Sequence, residues 1–180
     1  RPRPPIPNKQ HTASSHGGAL VSNSIHTRRF GAVDYDDEKD VLFFEDGLPG
    51  FEQYRRWILI GGEKEPLKWL QSLVDGDLAL PVASPFHIDP EYTLAIPADE
   101  AEAIDHDRAA PERTGVLVVV TIPLETPWEA TANMIAPIVV NMNTRRARQI
   151  LVDDERYSVW YPLLKQPARE KLAKTAGSGA

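Results

Sequence analysis

Short apolar runs, each ended by a glycine, a proline or a charged turn, constrain this chain more than any other feature of its sequence. The clearest turn lies in residues 44–51, where Gly47 and Gly50 bracket a Leu-Pro step between apolar residues. Glycine tolerates positive φ and proline holds φ at roughly −65°, so this arrangement specifies a tight turn between two strands. We therefore expect many short strands and few helices.

β-Branched and aromatic residues predict a series of such strands. They fall at residues 24–35 (one bulged or edge strand), 41–44 (buried on both faces), 54–60, 67–73, 78–83, 92–96, 116–122, 138–141, 149–152 and 157–161. The run at 116–122 is the strongest and should be central, Pro81 indicates an edge or bulged position, and the asparagines of residues 141–145 suit a hairpin loop with positive φ. Residues 99–104 form the best helix, because carboxylates fill its first turn.

This spacing argues for an antiparallel barrel or sandwich, and we predict a mainly β, single-domain, antiparallel β-barrel-like fold with one or two short helices. Residues 1–23, rich in Pro, Ser and His, are predicted to be a disordered extension, because they offer little apolar surface to bury. Residues 24–164 form the β domain. Residues 165–180 are predicted to be a flexible tail with a frayed helix through residues 168–174.

Charge and composition narrow the classes of function. The net charge of −6 disfavours phosphate backbones and favours basic partners. The absence of cysteine removes disulfides and thiol catalysis, and it fits a reducing compartment. The longest apolar run, residues 116–122, is far shorter than the ~20 residues that span a bilayer. We therefore expect a cytoplasmic protein without membrane attachment.

Catalytic, metal and cofactor sites have almost no support in the sequence. The five histidines are scattered, and no pair has metal-ligand spacing on a predicted helix. Clustered carboxylates lie in turns, where solvated charge explains them better than a carboxylate-based hydrolase or a cation site does. Core or interface packing best explains Trp57, Trp69, Trp128 and Trp160. We predict no catalytic residue, no metal and no cofactor.

One basic cluster leaves a second class of function open. Arg145, Arg146 and Arg148 follow a predicted hairpin loop and suit the neutralisation of phosphates in a nucleic-acid-binding β-barrel. The cluster lacks the flanking aromatic platform that single-strand binders use, so a solvated hairpin is the favoured interpretation.

Three segments together resemble the family of the flagellar assembly factor FliW. They are residues 41–52 (VLFFEDGLPGFE), 66–86 (PLKWLQSLVDGDLALPVASPF) and 131–154 (TANMIAPIVVNMNTRRARQILVDD). One segment alone is weak, but three in the same order make the resemblance specific, and the likeness runs from about residue 27 to 163.

The resemblance implies a non-enzymatic, mostly antiparallel β-barrel-like protein with two partners. One is newly made flagellin and the other is the RNA-binding translational regulator CsrA. In the family, FliW bound to CsrA relieves repression of flagellin mRNA translation, and accumulated flagellin captures FliW and restores repression. Direct nucleic-acid binding is not expected of such a protein.

The partner-facing and structural residues follow as hypotheses. An acidic face toward the basic regulator is expected from two turns, which contain Asp36, Asp37 and Glu38, and Asp153, Asp154 and Glu155. Leu48 is a further candidate for partner contact. The remaining motif residues are given structural roles: Gly47, Pro49 and Gly50 shape the turn, Phe44 and Phe51 pack beside it, Asn133 bonds backbone groups in a loop, and Pro137 ends sheet pairing.

Overall fold

The computed structural model describes residues 22–178, and antiparallel β-sheet dominates them. A separate hairpin contains β1 (Asn23–Thr27) and β2 (Gly31–Tyr35). A nine-stranded sheet contains β3 (Val41–Phe43), β4 (Arg56–Ile60), β5 (Leu67–Ser72), β6 (Ala79–Ala83), β7 (Thr114–Thr121), β8 (Thr131–Ala132), β9 (Ile138–Asn141), β10 (Ala147–Gln149) and β11 (Tyr161–Pro162). The prediction of a mainly β, antiparallel fold is confirmed. Disorder is predicted for residues 1–23. Of these, all but residues 22 and 23 lie outside the described part.

The main sheet runs in the order β10-β9-β7-β6-β5-β4-β3, with β8 added to β7 and β11 added to β8. Strand β7 pairs with β6, β8 and β9, so the predicted central position of this strand is confirmed. Its long run of valines suits this place because both of its faces are covered.

The main sheet curls until its two edges meet. Seven strands laid flat at about 4.8 Å each would hold their edges roughly 30 Å apart, yet the Phe43 N–H of β3 donates to the Arg145 carbonyl beside β10 at 2.9 Å. Phe43 and Arg146 form only one isolated bridge, so the sheet is not closed and the barrel-like prediction is not confirmed. The inner face of the curled sheet holds a core that includes Phe44, Trp57 and Leu70, all fully buried.

A second core covers the outer face of β7. Val118 and Val120 alternate with the inward residues of that strand and pack with Ala132, Met134 and Tyr92. Helices α1 (Pro85–Ile88) and α2 (Ala98–Ala103) lie in the connection between β6 and β7. Helix α2 confirms the predicted helix within one residue.

The chain after the sheet continues as a third helix, α3 (Gln166–Gly177), with no buried residue. It contains the predicted frayed helix of residues 168–174. The described residues therefore have three α-helices, one more than the upper limit that we predicted.

Four strand predictions are wrong. Of residues 149–152, only Gln149 lies in a strand, β10. Residues 24–35 form a hairpin in place of one bulged strand, because Gly31 at φ +69 and the Thr27 hydroxyl, which accepts the Phe30 N–H at 2.9 Å, build a turn there. Residues 92–96 form no strand. Of residues 157–161, only Tyr161 pairs with a neighbouring strand, β8.

Two positions within strands also differ from expectation. Pro81 lies in β6, which is an interior strand and not an edge. Strand β7 pairs only with Val82 and Ala83, so no β7 residue pairs with Pro81, which has no N–H to donate. Phe43 is 37% exposed, whereas Val41, Leu42 and Phe44 are buried, so the predicted burial of residues 41–44 on both faces fails only at Phe43.

Candidate functional site

The turn at residues 44–51 is built on two glycines with positive φ, Gly47 at +72° and Gly50 at +85°. A Cβ atom on Gly47 would lie 2.5 Å from the Glu52 backbone, so the close approach of two chain segments requires glycine there. The Glu52 carboxylate accepts the Gly50 N–H, and this hydrogen bond lowers its pKa.

Aromatic residues anchor this turn in the inner core. Phe44 and Phe51 both contact Trp57 edge to face, with ring centroids 6.5 and 6.4 Å apart. Leu48 is 2% exposed and belongs to the same core, so its side chain is not presented to a partner in this structure. Its carbonyl accepts the Phe51 N–H at 2.7 Å, which closes the turn.

A groove of about 280 Å³ opens beside the turn, and we call it the motif groove. Its walls are Leu48, Pro49, Phe51, Leu80, Val119, Thr121, Asn133, Gln149, Val159 and Trp160. All three segments that carry the family resemblance contribute to it, although they lie far apart in sequence. The motif groove is therefore the strongest candidate for the functional site.

Polar side chains on one wall of the motif groove are held in place by a single loop residue. The Asn133 side-chain oxygen accepts the Ala136 N–H at 3.1 Å, and the Gln149 amide donates to the Ala136 carbonyl at 2.9 Å. Pro137 is buried just behind them, and its carbonyl accepts the Ile150 N–H at 2.9 Å. These hydrogen bonds hold Asn133 and Gln149 in place on the wall of the motif groove.

Trp160 forms the rim of the motif groove and is 75% exposed. An exposed indole beside a groove is the kind of side chain that dominates binding energy at protein interfaces. The sequence predicts core or interface packing for the tryptophans; Trp57 is fully buried in the core, whereas the exposure of Trp160 leaves only the interface alternative for it. The alternation of aromatic residues in 157–161 predicts a strand, but this segment pairs as a strand only at its end.

The basic hairpin is largely neutralised by carboxylates across the opening of the sheet. Arg146 pairs with Glu45 and Asp105 at 3.4 and 3.5 Å, and Arg148 pairs with Asp46 and Glu100. Burial of Arg148 opposes its charge, but the hydrogen bond to Asp46 and the charge of Glu100 raise its pKa overall. The case for phosphate binding by this cluster is therefore weak.

Arg145 differs from its two neighbours. It is the residue of this loop with positive φ, at +61°, whereas the sequence analysis expected an asparagine in that role. Asn141 instead uses its side-chain oxygen to accept the N–H groups of Asn143 and Thr144, at 2.9 and 3.2 Å. Among residues 22–178, no carboxylate forms an ion pair with Arg145.

The six predicted acidic residues lie in two turns, and none of them lines the motif groove. In the first turn, the Asp36 carboxylate accepts the backbone N–H groups of Glu38 and Lys39, which lowers its pKa. Asp37 pairs with Arg56 of β4. Two of the three charges in this turn thus already have partners.

The second acidic turn is arranged similarly. Asp154 pairs with Arg156 at 2.7 Å, and this hydrogen bond lowers the pKa of the carboxyl group. Glu38, Asp153 and Glu155 are exposed, and within the described ranges they form no ion pair. These three residues therefore carry the accessible negative charge of the two turns.

The described residues contain neither a metal-ligand cluster nor a membrane-spanning helix. No three His, Asp or Glu side chains among residues 22–178 cluster as a metal site would require. In the same range, no helix has the length and apolarity needed to cross a membrane.

Fold and site together define a mainly antiparallel β protein with a surface groove formed by strand and loop residues. The sequence model of the FliW protein family matches residues 24–163. A relative from Pseudothermotoga lettingae, named flagellar assembly factor FliW, is 34% identical over 87% of this chain and 99% of its own length. One of the same name from Caldanaerobacter subterraneus is 36% identical over 79% of this chain and 93% of its own.

A solved structure agrees with the sequence relatives. The crystal structure of a flagellar assembly factor FliW superposes with a TM-score of 0.71 at 26% identity, over 80% of this chain and 99% of the other. The chain therefore belongs to the FliW family of flagellar assembly factors.

Proposed function

We propose that this chain is a binding protein, with no enzymatic activity, that exchanges between the regulator CsrA and flagellin. Bound to CsrA, it relieves repression of flagellin mRNA translation. When flagellin accumulates in the cytoplasm, flagellin captures the chain and frees CsrA. The observation that carries this proposal is the convergence of all three family segments on the motif groove.

Charge and surface chemistry support two different contacts. The net charge of −6 suits a basic RNA-binding partner, and Glu38, Asp153 and Glu155 place accessible carboxylates in the two acidic turns. The motif groove combines apolar side chains and the exposed Trp160 with polar groups of Thr121, Asn133 and Gln149, so it suits a mixed apolar and polar surface of a protein partner.

Competition tests the exchange directly. A preformed complex of the chain with CsrA is titrated with flagellin, and both free CsrA and its binding to flagellin mRNA are measured. We expect RNA binding to return as flagellin approaches stoichiometric amounts. Absence of displacement at saturating flagellin would contradict the proposal.

Charge reversal tests the acidic turns. The triple variant Glu38→Lys, Asp153→Lys and Glu155→Lys is expected to slow association with CsrA and to flatten its dependence on salt. The triple variant Glu63→Lys, Glu112→Lys and Glu125→Lys, at exposed carboxylates outside both turns, is the control matched for net charge. Equal association rates for the triple variant of the acidic turns and the unmodified chain would remove the residues of these turns from the interface.

Direct binding of nucleic acid is the second candidate function. It rests on Arg145, because Arg146 and Arg148 are already paired with carboxylates. Salt-dependent binding of the purified chain to RNA without CsrA would favour it over partner exchange.

A further inference from the structure

The inner face of the main sheet has a second opening, at the end opposite the motif groove, and we call it the distal pocket. The motif groove takes Val119 and Thr121 from the end of β7, whereas the distal pocket takes Gly115 and Leu117 from its start. Its full lining is Lys39, Asp40, Leu42, Leu59, Gly115, Val116, Leu117, Val140, Met142 and Arg145, around about 360 Å³.

Apolar side chains that line the distal pocket remain accessible to solvent. Leu59 is 38% exposed and Met142 is 45% exposed, although both lie beside the buried inner core. A Cβ atom on Gly115 would sit 3.2 Å from the Met142 sulfur, so the absence of a side chain there lets Met142 lie over β7. The pocket is therefore an apolar opening with a flexible thioether in its wall.

Arg145 supplies the positive charge of this pocket, and its backbone is tightly held. Its N–H donates to the Asn141 carbonyl at 2.8 Å, and its own carbonyl accepts the Phe43 N–H at 2.9 Å. These bonds maintain a φ of +61°, a conformation that non-glycine residues rarely adopt and that often accompanies function.

Of the other charged groups at the distal pocket, Lys39 has an ion-pair partner and Asp40 has only a backbone hydrogen bond. The Lys39 ammonium lies 3.5 Å from the Asp36 carboxylate, and the Asp40 carboxylate accepts the Asp36 N–H at 2.8 Å. In the described part of the chain, Arg145 has no such partner, whereas Arg146 and Arg148 have two each. The pocket thus combines apolar walls with a net positive lining, because Lys39 and Arg145 outnumber Asp40.

We infer that the distal pocket binds a small aliphatic carboxylate, with the hydrocarbon chain against Leu59 and Met142 and the carboxylate on Arg145. The volume lies within the range of ligand pockets, roughly 300 to 1,000 Å³. It holds about twelve non-hydrogen atoms, at about 30 Å³ for each water-sized group. A guanidinium binds a carboxylate through two parallel hydrogen bonds, which selects this head group over an alcohol. This site is independent of the proposed partner exchange.

Decanoate, which has about this number of atoms, is the probe, and the two methionines of the chain provide the readout. In a titration followed by methyl NMR, the Met142 signal should shift and saturate. The signal of Met134, which is fully buried in the other core, should stay unchanged. Decan-1-ol should bind about tenfold more weakly than decanoate, because it lacks the charge.

Arg145→Asn removes the positive charge but keeps the backbone conformation, because asparagine tolerates positive φ. This variant should bind decanoate at least about tenfold more weakly, whereas Arg145→Lys should retain part of the affinity. Arg55→Gln, at an exposed arginine outside the pocket, should bind as the unmodified chain does.

Three results would overturn the inference. They are an unshifted Met142 signal at millimolar decanoate, equal affinity of Arg145→Asn and the unmodified chain, and joint movement of both methionine signals, which would indicate detergent-like unfolding. An unchanged Met134 signal in Arg145→Asn shows that this variant is folded.

Discussion

The backbone N–H of Phe43 donates a 2.9 Å hydrogen bond to the carbonyl of Arg145, and this bond joins the two edges of the main sheet. Beyond this bond, side chains connect the two edges in place of the backbone hydrogen bonds that a closed barrel would have. Arg146 pairs with Glu45, and Arg148 pairs with Asp46, so charged groups connect the basic hairpin to the motif turn. The seam between the sheet edges thus combines a backbone hydrogen bond and ion pairs with buried contacts of the inner core, to which Phe44 and Ala147 both belong.

Removal of one of these arginines should loosen the seam. Arg148→Gln is expected to lower the free energy of unfolding by about 1 kcal/mol, at the upper end for a solvent-exposed pair. The side chain is 36% exposed, so water screens both of its ion pairs. Denaturant unfolding measures the loss, and high salt should reduce the difference between variant and unmodified chain.

Arg55→Gln is the control for this substitution, because Arg55 is exposed and lies close to the same turn without an ion pair among the described residues. It should change the free energy of unfolding by less than about 0.5 kcal/mol. Equal losses for the two variants would show that the seam pairs add nothing to stability.

The two glycines of the motif turn should respond differently to alanine. Both have positive φ, which costs an alanine roughly 1 kcal/mol. At Gly50 nothing lies within 4 Å of an added Cβ, so Gly50→Ala should lose about that amount. At Gly47 the Cβ would lie 2.5 Å from backbone atoms of Glu52, so Gly47→Ala should lose more than about 3 kcal/mol.

Thermal and denaturant unfolding of the two alanine variants provide the comparison. A loss in Gly47→Ala no larger than that in Gly50→Ala would mean that the turn moves freely away from Glu52. Glycine would then be required at position 47 only because of its positive φ.

Alkaline pH should destabilise the second core. Burial raises the pKa of Tyr92 to about 12, with the charge of Asp154 adding to the effect, and burial together with a hydrogen bond to Asp89 raises that of Tyr157 to about 12. An unfolded tyrosine ionises near pH 10. Between about pH 10 and 12 the unfolded chain therefore binds fewer protons, and the free energy of unfolding falls as pH rises.

Tyr92→Phe isolates one of these contributions. The variant keeps the ring in the core but loses the hydroxyl that donates to the Met134 carbonyl at 3.1 Å. It should be less stable at neutral pH and should lose less stability than the unmodified chain between pH 10 and 12. Parallel losses for both proteins in denaturant unfolding would exclude Tyr92 as a source of the pH dependence.

Local patterns in the sequence predicted the fold where local chemistry decides it. The β-branched run at residues 116–122 became β7, and the carboxylates that begin residues 99–104 became the first turn of α2. The same logic failed for residues 92–96. Tyr92 packs with Met134 and Tyr157 from distant segments, and this packing produces a strand-like pattern in a region with no pairing partner.

The candidate site was predictable only in part for a similar reason. The motif turn is visible in sequence because Gly47 and Gly50 act locally. The motif groove forms only because the curl of the sheet brings Leu80, Asn133 and Trp160 together, and no local sequence pattern predicts that these residues are neighbours. The ion pairs of Arg146 and Arg148 across the seam also depend on the curl, which is why the basic hairpin looked like a free cationic patch.

Trp160 provides the sharpest test of the motif groove. Trp160→Ala removes an indole that is 75% exposed, so the free energy of unfolding should change by less than about 1 kcal/mol. If the groove receives a protein partner, the same substitution should weaken that complex at least about tenfold, as expected for a tryptophan at the centre of an interface. Leu124→Ala is the control, because Leu124 is 99% exposed and lies outside the groove. Calorimetric titration of both variants with flagellin and with CsrA identifies the partner that uses the groove, and unchanged affinity of Trp160→Ala for both would place their contacts elsewhere.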